Sequence, residues 1–155
     1  MKILIVYDSH HGNTEQIAQS IREVTNKVHE VQLKRIKDTS PEDLRGVDYL
    51  VVGSPTKGGI ATKNTIQFFD NIANDSLTMM KVVAYDTGIA AEGPKRFIRS
   101  AIQLLGYASS SMTKMLKQKG AKVIATKTFF ILRKEGSLAR GEIKRAGKWA
   151  EHMLL

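Results

Sequence analysis

Lys2-Ile3-Leu4-Ile5-Val6-Tyr7, followed at once by Asp8-Ser9-His10-His11-Gly12-Asn13-Thr14, is the stretch that decides the fold. Its apolar run is continuous rather than alternating and has the length of one strand. A run of that kind marks a strand buried on both faces, as in a parallel sheet covered by helices. Beyond Gly12, the residues Ile17, Ala18, Ile21, Val24 and Val28 recur on one face of a helix. A buried strand thus passes through a short polar loop straight into an amphipathic helix.

The same alternation continues along the chain. Residues 28–33, 48–53, 81–86 and 122–132 read as further strands, mostly near-continuous in Val, Ile and Leu. Helical patterns separate them. One runs through Ile66, Phe69, Ile72 and Ala73. Another opens at Pro94, a natural first-turn residue, and carries Phe97, Ile98, Ala101, Ile102 and Leu105 before Gly106. Ser111 through Met112, Met115 and Leu116 to Gly120 forms a short third. The last places Ile143, Ala146, Trp149, Ala150 and Met153 inward. Alternating strands and helices with right-handed crossovers predict a doubly wound α/β fold. With five parallel strands the common order is 2-1-3-4-5, and ligands sit beyond the carboxyl ends of the strands, where the order switches between strands 1 and 3.

Composition narrows the chemistry. The 155 residues suit a single domain, 1–155, and 42% are hydrophobic, enough for one core. Cysteine is absent, which excludes disulfides, thiol redox chemistry, iron–sulfur clusters and thiolate zinc sites, so a redox role needs an organic cofactor. No apolar run approaches membrane-spanning length, and none reads as a signal segment, so no membrane span and a cytoplasmic location are expected. The net charge of +9 is uneven. Residues 1–93 hold 10 Lys/Arg against 12 Asp/Glu, a net of −2, and residues 94–155 hold 14 against 3, a net of +11. Such a surface is either a set of solvated helix faces or a docking patch for an acidic partner, a membrane surface or nucleic acid. Aromatic residues are only 6%, too few to interleave with bases, so specific nucleic-acid binding is not expected.

The geometric rule for this fold points at three loops. The first, Asp8 to Thr14, opens a helix, where free backbone amides joined by Ser9, Asn13 and Thr14 side chains make a place for a phosphate. Gly12 lets the backbone approach closely or take positive φ. No Gly-Lys-Ser/Thr ending is present, so this is not a Walker loop, and the G-x-G-x-x-G dinucleotide pattern is missing. An ordinary capped turn, with Asn13 or Ser9 as the cap, is the alternative. The second loop is Gly53-Ser54-Pro55-Thr56-Lys57-Gly58-Gly59, and the third runs from Asp86-Thr87-Gly88 to Pro94. Adjacent His10 and His11 lack further ligands at helix spacing, which argues for a loop role and against a metal. Asp8 stands after strand 1, whereas a phospho-accepting receiver domain needs its aspartate after strand 3.

At this point the chain resembles the flavodoxins. Tyr7-Asp8-Ser9-His10-His11-Gly12-Asn13-Thr14-Glu15 is similar to their phosphate loop, a hydroxyl-rich stretch ending in Gly-Asn-Thr. Gly53-Ser54-Pro55-Thr56-Lys57-Gly58 resembles their second flavin loop, and Asp86-Thr87-Gly88 the start of the third. The tail, Lys134-Glu135-Gly136-Ser137-Leu138 with Gly141-Glu142-Ile143, Ala146 and Trp149-Ala150, resembles the ending of small stand-alone flavodoxin-like proteins. The resemblance implies FMN as cofactor. It implies that Ser9, His10, His11, Gly12, Asn13 and Thr14 wrap the phosphate without a balancing cation. By the same resemblance Pro55, Thr56, Lys57, Gly58, Gly59, Asp86, Thr87 and Gly88 border the flavin ring. Two departures stand out: Lys57 takes a place where the family often has an aromatic residue or methionine, and carrier flavodoxins are typically acidic. The expected function is electron transfer with an acidic redox protein as partner. The alternatives are an FMN-dependent oxidoreductase acting on a small substrate such as a quinone, and a regulatory module of the same fold without flavin.

Overall fold

A computed structural model describes residues 1–90, 106–132 and 136–155. The chain runs β1 (Lys2–Tyr7), α1 (Asn13–Thr25), β2 (Glu30–Arg35), two 3-10 turns (Ile36–Asp38 and Pro41–Leu44), β3 (Tyr49–Pro55), α2 (Lys63–Asn71), β4 (Lys81–Ile89), α3 (Ala108–Gln118), β5 (Lys122–Ile131) and α4 (Glu142–Leu154). The five strands form one parallel sheet in the order 2-1-3-4-5. The helix expected from Pro94 to Leu105, the end of the third loop, and Lys134 and Glu135 lie outside the described residues.

Successive residues of a strand face opposite sides, so each central strand feeds two cores. On one side Leu4, Val6, Leu50, Val52, Val82 and Ala84 meet Phe68, Phe69 and Ile72 from the α2 region and Met112 and Leu116 of α3. On the other, Ile3, Ile5, Tyr7, Val51, Val83 and Tyr85 meet Ile17, Ala18 and Ile21 of α1 and Ala146, Trp149 and Ala150 of α4. Burying each large aliphatic side chain contributes about 1.5–3 kcal/mol, which is why continuous apolar runs became the centre of the sheet.

Several boundaries differ from the sequence expectation, among them β2, which ends at Arg35, and α2, which ends at Asn71. Val28 belongs to neither α1 nor β2: the backbone N–H groups of Val28 and His29 fold back onto the Thr25 carbonyl, and Val28 is 64% exposed. β3 and β4 continue past residues 53 and 86, because Ser54 pairs with Asp86 and Pro55 with Thr87. Asp86-Thr87-Gly88 is therefore strand, paired with β5 as well, and not the start of a loop. α3 begins at Ala108, earlier than Ser111, because its first amides find acceptors outside the helix: Ala108 N–H donates to Thr56 Oγ1 (3.0 Å) and Ser109 N–H to Asp86 Oδ2 (3.2 Å). In α4 the inward residue of the first turn is Glu142, while Ile143 faces out, 47% exposed.

Glu142 is inward because it caps an open sheet edge. Its Oε2 accepts the Phe130 N–H at 2.7 Å, and its carboxylate pairs with Arg145. Arg145 also donates to the Thr128 carbonyl (2.6 Å) and lies over the rings of Phe129 and Phe130. Ala139 N–H closes on the Phe130 carbonyl and Leu132 N–H on that of Ser137. Unpaired strand edges invite pairing with other chains, and these contacts cover the carboxyl half of β5.

Candidate functional site

The site lies at the carboxyl ends of β1, β3 and β4. A cavity there is lined by Ser9, His10, His11, Asn13, Thr14, Pro55, Thr56, Lys57, Thr87 and Ile131. Of the sequence-predicted residues, the structure brings these nine together with Gly12, Gly58, Gly59, Asp86 and Gly88 close in sequence but outside the lining set. Ile131, from the end of β5, was not foreseen.

The first loop is built to leave amides free. Gly12 holds φ +83° as the residue before α1, a conformation that side chains disfavour. Its N–H donates to Ser9 Oγ (3.0 Å) and its carbonyl accepts from Gln16 N–H. Ser9 N–H donates to Asp8 Oδ1 (3.0 Å). The backbone N–H groups of His10, His11, Asn13, Thr14 and Glu15 have no acceptor among the described residues. A cluster of unpaired amides at a helix N-terminus favours an anion.

The side chains are partly committed to one another. Thr14, buried, shares a 2.8 Å hydrogen bond with Thr87 across to β4. Asn13 Nδ2 donates to the Gly136 carbonyl at 2.6 Å, tying the loop to the segment after β5. Asp8 anchors the loop from below, accepting Thr62 Oγ1 (2.6 Å) and Asn64 Nδ2 (3.4 Å) from the start of α2.

A paired cation stands beside this loop. Arg35, the last residue of β2, donates to the Ser9 carbonyl (3.4 Å) and pairs with Glu15 of α1. Glu15 accepts Tyr7 Oη–H in turn, and the guanidinium lies 5.5 Å from the centre of the Tyr7 ring. Arg35 is far from the loop in sequence, and only the β1–β2 register, Tyr7 beside Arg35, brings it there.

The second loop is a tight hairpin. Lys57 and Ile60 exchange both backbone hydrogen bonds (2.9 and 3.1 Å), with Gly58 and Gly59 at φ +57° and +80° between them. Two central residues at positive φ define the mirror-image type I turn, for which a Gly-Gly pair is suited. Lys57 is exposed at its base. Thr56, beside it, donates to Asp86 Oδ2 at 2.7 Å. Asp86 is fully buried and its Oδ1 has no partner among the described residues. Burial pushes its carboxyl above the ordinary range, against the hydrogen bonds that favour the ionised form. Asp86 therefore lies behind Thr56 and steadies the second loop against α3. No helix among the described residues is long and apolar enough to cross a membrane.

A model of the flavodoxin domain matches residues 4–136, so the chain belongs to the flavodoxin family. It is 36% identical over 76 residues to a flavodoxin of Aquifex aeolicus, covering 48% of this chain and 41% of that protein. It is 36% identical over 92 residues to a flavodoxin of Maridesulfovibrio salexigens, covering 56% of this chain and 63% of that one. The matches thus span 41% and 63% of these relatives, less than two thirds of each. Among solved structures, oxidised Flavodoxin 2 from Bacillus cereus superposes with a TM-score of 0.75 at 26% identity, covering 97% of this chain and 96% of that chain. Family membership implies a flavin cofactor.

Proposed function

We propose that this chain binds FMN and serves as an electron carrier in the cytoplasm, with an acidic redox protein as its partner. The observation that carries the reading is the set of unpaired amides at residues 10, 11 and 13–15, in a family whose cofactor is a flavin. A phosphate ester fits that cradle, since amides and the helix N-terminus both favour an anion. In this reading Ser9, His10, His11, Gly12, Asn13 and Thr14 hold the phosphate. Pro55, Thr56, Lys57, Gly58, Gly59, Thr87 and Gly88 border the ring, and Asp86 positions Thr56. The isoalloxazine, when bound, supplies the redox chemistry. Exposed Lys114, Lys117, Lys122, Lys144 and Lys148 support an acidic partner, steered by long-range charge.

Titration of the flavin-free protein with FMN and with riboflavin tests the reading. FMN restores a coloured complex and binds far more tightly than riboflavin. Failure to bind FMN, or equal affinity for the two, overturns it. For the partner, electron-transfer rates to acidic proteins fall as salt shortens the screening length to about 8–10 Å, and a flat rate removes the docking role.

A further inference from the structure

We infer that His10 and His11 supply a proton-dependent share of the positive charge that holds a phosphate ester in the first loop, so that their share in retaining a phosphorylated ligand grows as the pH falls. This rests on the reading of the loop as a phosphate site. Both side chains are exposed, both line the same cavity, and their ring centres are 6.5 Å apart. Both sit on the stretch whose backbone amides are unpaired. A phosphate drawn to those amides therefore meets two imidazoles within the same loop.

The charges around the loop leave this role open. From β1, Asp8 is turned to Ser9 N–H, Thr62 and Asn64. From α1, Glu15 is engaged by Arg35 and Tyr7. From β2, Arg35 is taken up by Glu15, so its charge is offset. From the second loop, Lys57 lines the cavity with no ion pair among the described residues and gives a fixed positive charge. From β4 and β5, Thr87 and Ile131 bring no charge, while Asp86, its carboxyl raised by burial, lies behind Thr56 outside the cavity lining and is common to every protein compared. Carboxylates, lysines and arginines ordinarily change charge outside pH 5–8, whereas imidazole changes within it. A phosphate monoester gains its second charge near pH 6. The ester's own titration weakens attraction as pH falls and is common to every protein compared, so the difference between proteins with and without the imidazoles isolates their share.

The test is the dissociation constant of FMN, read by flavin fluorescence between pH 5.5 and 8.5, with riboflavin in parallel. Three proteins are compared: the natural chain, the His10→Asn/His11→Asn double variant, and His11→Lys. Both histidines are exposed, and unchanged riboflavin affinity reports an intact ring site. In the natural chain FMN affinity relative to the double variant falls with rising pH by about two- to fivefold for each imidazole, the range of a partly exposed charge pair. His11→Lys keeps much of the low-pH affinity at pH 8.5. Identical pH profiles for the natural chain and the double variant overturn the inference while FMN binding stands. Absence of FMN binding at every pH overturns the phosphate-site reading along with it.

Discussion

The ring of Tyr85 occupies the space that a side chain at Gly53 would need. The two residues face each other in the β3–β4 register, and a Cβ built on Gly53 would lie 2.1 Å from Cζ and 2.3 Å from the hydroxyl oxygen of Tyr85. Gly53→Ala should cost about 1–3 kcal/mol through overpacking, seen as a lower denaturation midpoint. Pairing it with Tyr85→Leu should cost less than the sum of the two single changes. Additive losses would show that the methyl group is accommodated elsewhere.

Because Gly53 lets it pass, the Tyr85 hydroxyl reaches the Thr14 carbonyl at 3.0 Å, fully buried beneath the first turn of α1. Tyr85→Phe should cost about 0.5–1.5 kcal/mol, the net worth of one hydrogen bond, because the Thr14 carbonyl keeps the helical N–H of Ala18. Burial first, then the nearby Tyr7 and Glu15 charges, pushes the phenol well above 10.0. The folded state therefore keeps its proton where the unfolded chain releases it. This contribution is whole below the unfolded value and is lost as alkali rises from there through the folded one. Alkaline unfolding of the Phe variant should lack that share of the slope.

The hydroxyls of Thr14 and Thr87 should act on FMN as a unit. If Thr14 donates to the phosphate, its oxygen accepts from Thr87. Thr14→Ala should weaken FMN binding by about 1.5–3 kcal/mol. Thr87→Val should weaken it as well, and the double variant should lose less than the sum, as measured by titration calorimetry. No effect of Thr87→Val would place the phosphate contact on the amides alone.

Asp86 should make the protein less stable as pH rises out of the acid range. Its folded carboxyl is raised chiefly by burial, so its contribution is whole below the unfolded value near 3.8 and is lost as pH climbs through the folded one. Asp86→Asn keeps an acceptor for Thr56 and Ser109 and should not show this loss. Asp86→Ala removes the acceptor and should cost about 1–3 kcal/mol at any pH. Parallel pH–stability curves for the natural and Asn proteins would show that the buried charge carries no penalty.

The edge cap on β5 should fail in acid. Burial would raise the Glu142 carboxyl, but Arg145 and the Phe130 N–H outweigh it and hold the group below its ordinary range. Its contribution is present above the unfolded value and is lost as pH falls through the folded one. Glu142→Gln should flatten that limb of the stability curve. Arg145→Ala should cost about 1–3 kcal/mol and increase self-association through the uncovered edge, measurable by light scattering. A monomeric Ala variant of unchanged stability would show the edge to be guarded otherwise.

The sheet was legible because Ile3 to Val6, Leu50 to Val52 and Val82 to Ala84 are apolar without interruption, which only a doubly covered strand demands. The loops at its switch point were legible from Gly12-Asn13-Thr14 and Gly58-Gly59. Strand ends were not, because Asp86 and Thr87 are polar residues held in the ladder by partners such as Thr56 and Thr14 from elsewhere in the chain. Glu142 misled for the same reason: a carboxylate reads as solvent-facing until the amide it caps is known. Arg35 carries no motif, and its place by the phosphate loop comes from strand pairing alone.

The packing of α4 bears on the order in which the chain can fold while it is being made. Ile3, Ile5 and Tyr7 are synthesised long before Ala146, Trp149, Ala150 and Leu154, which belong to the layer that seals their face. Ser20 of α1 also donates to the carbonyl of Ile143. A chain halted before α4 has that face covered by α1 alone, so the complete layer awaits the emergence of these residues from the ribosome. Stalled chains ending at residue 141 should accordingly stay open to protease, and those extended far enough to release α4 should become resistant.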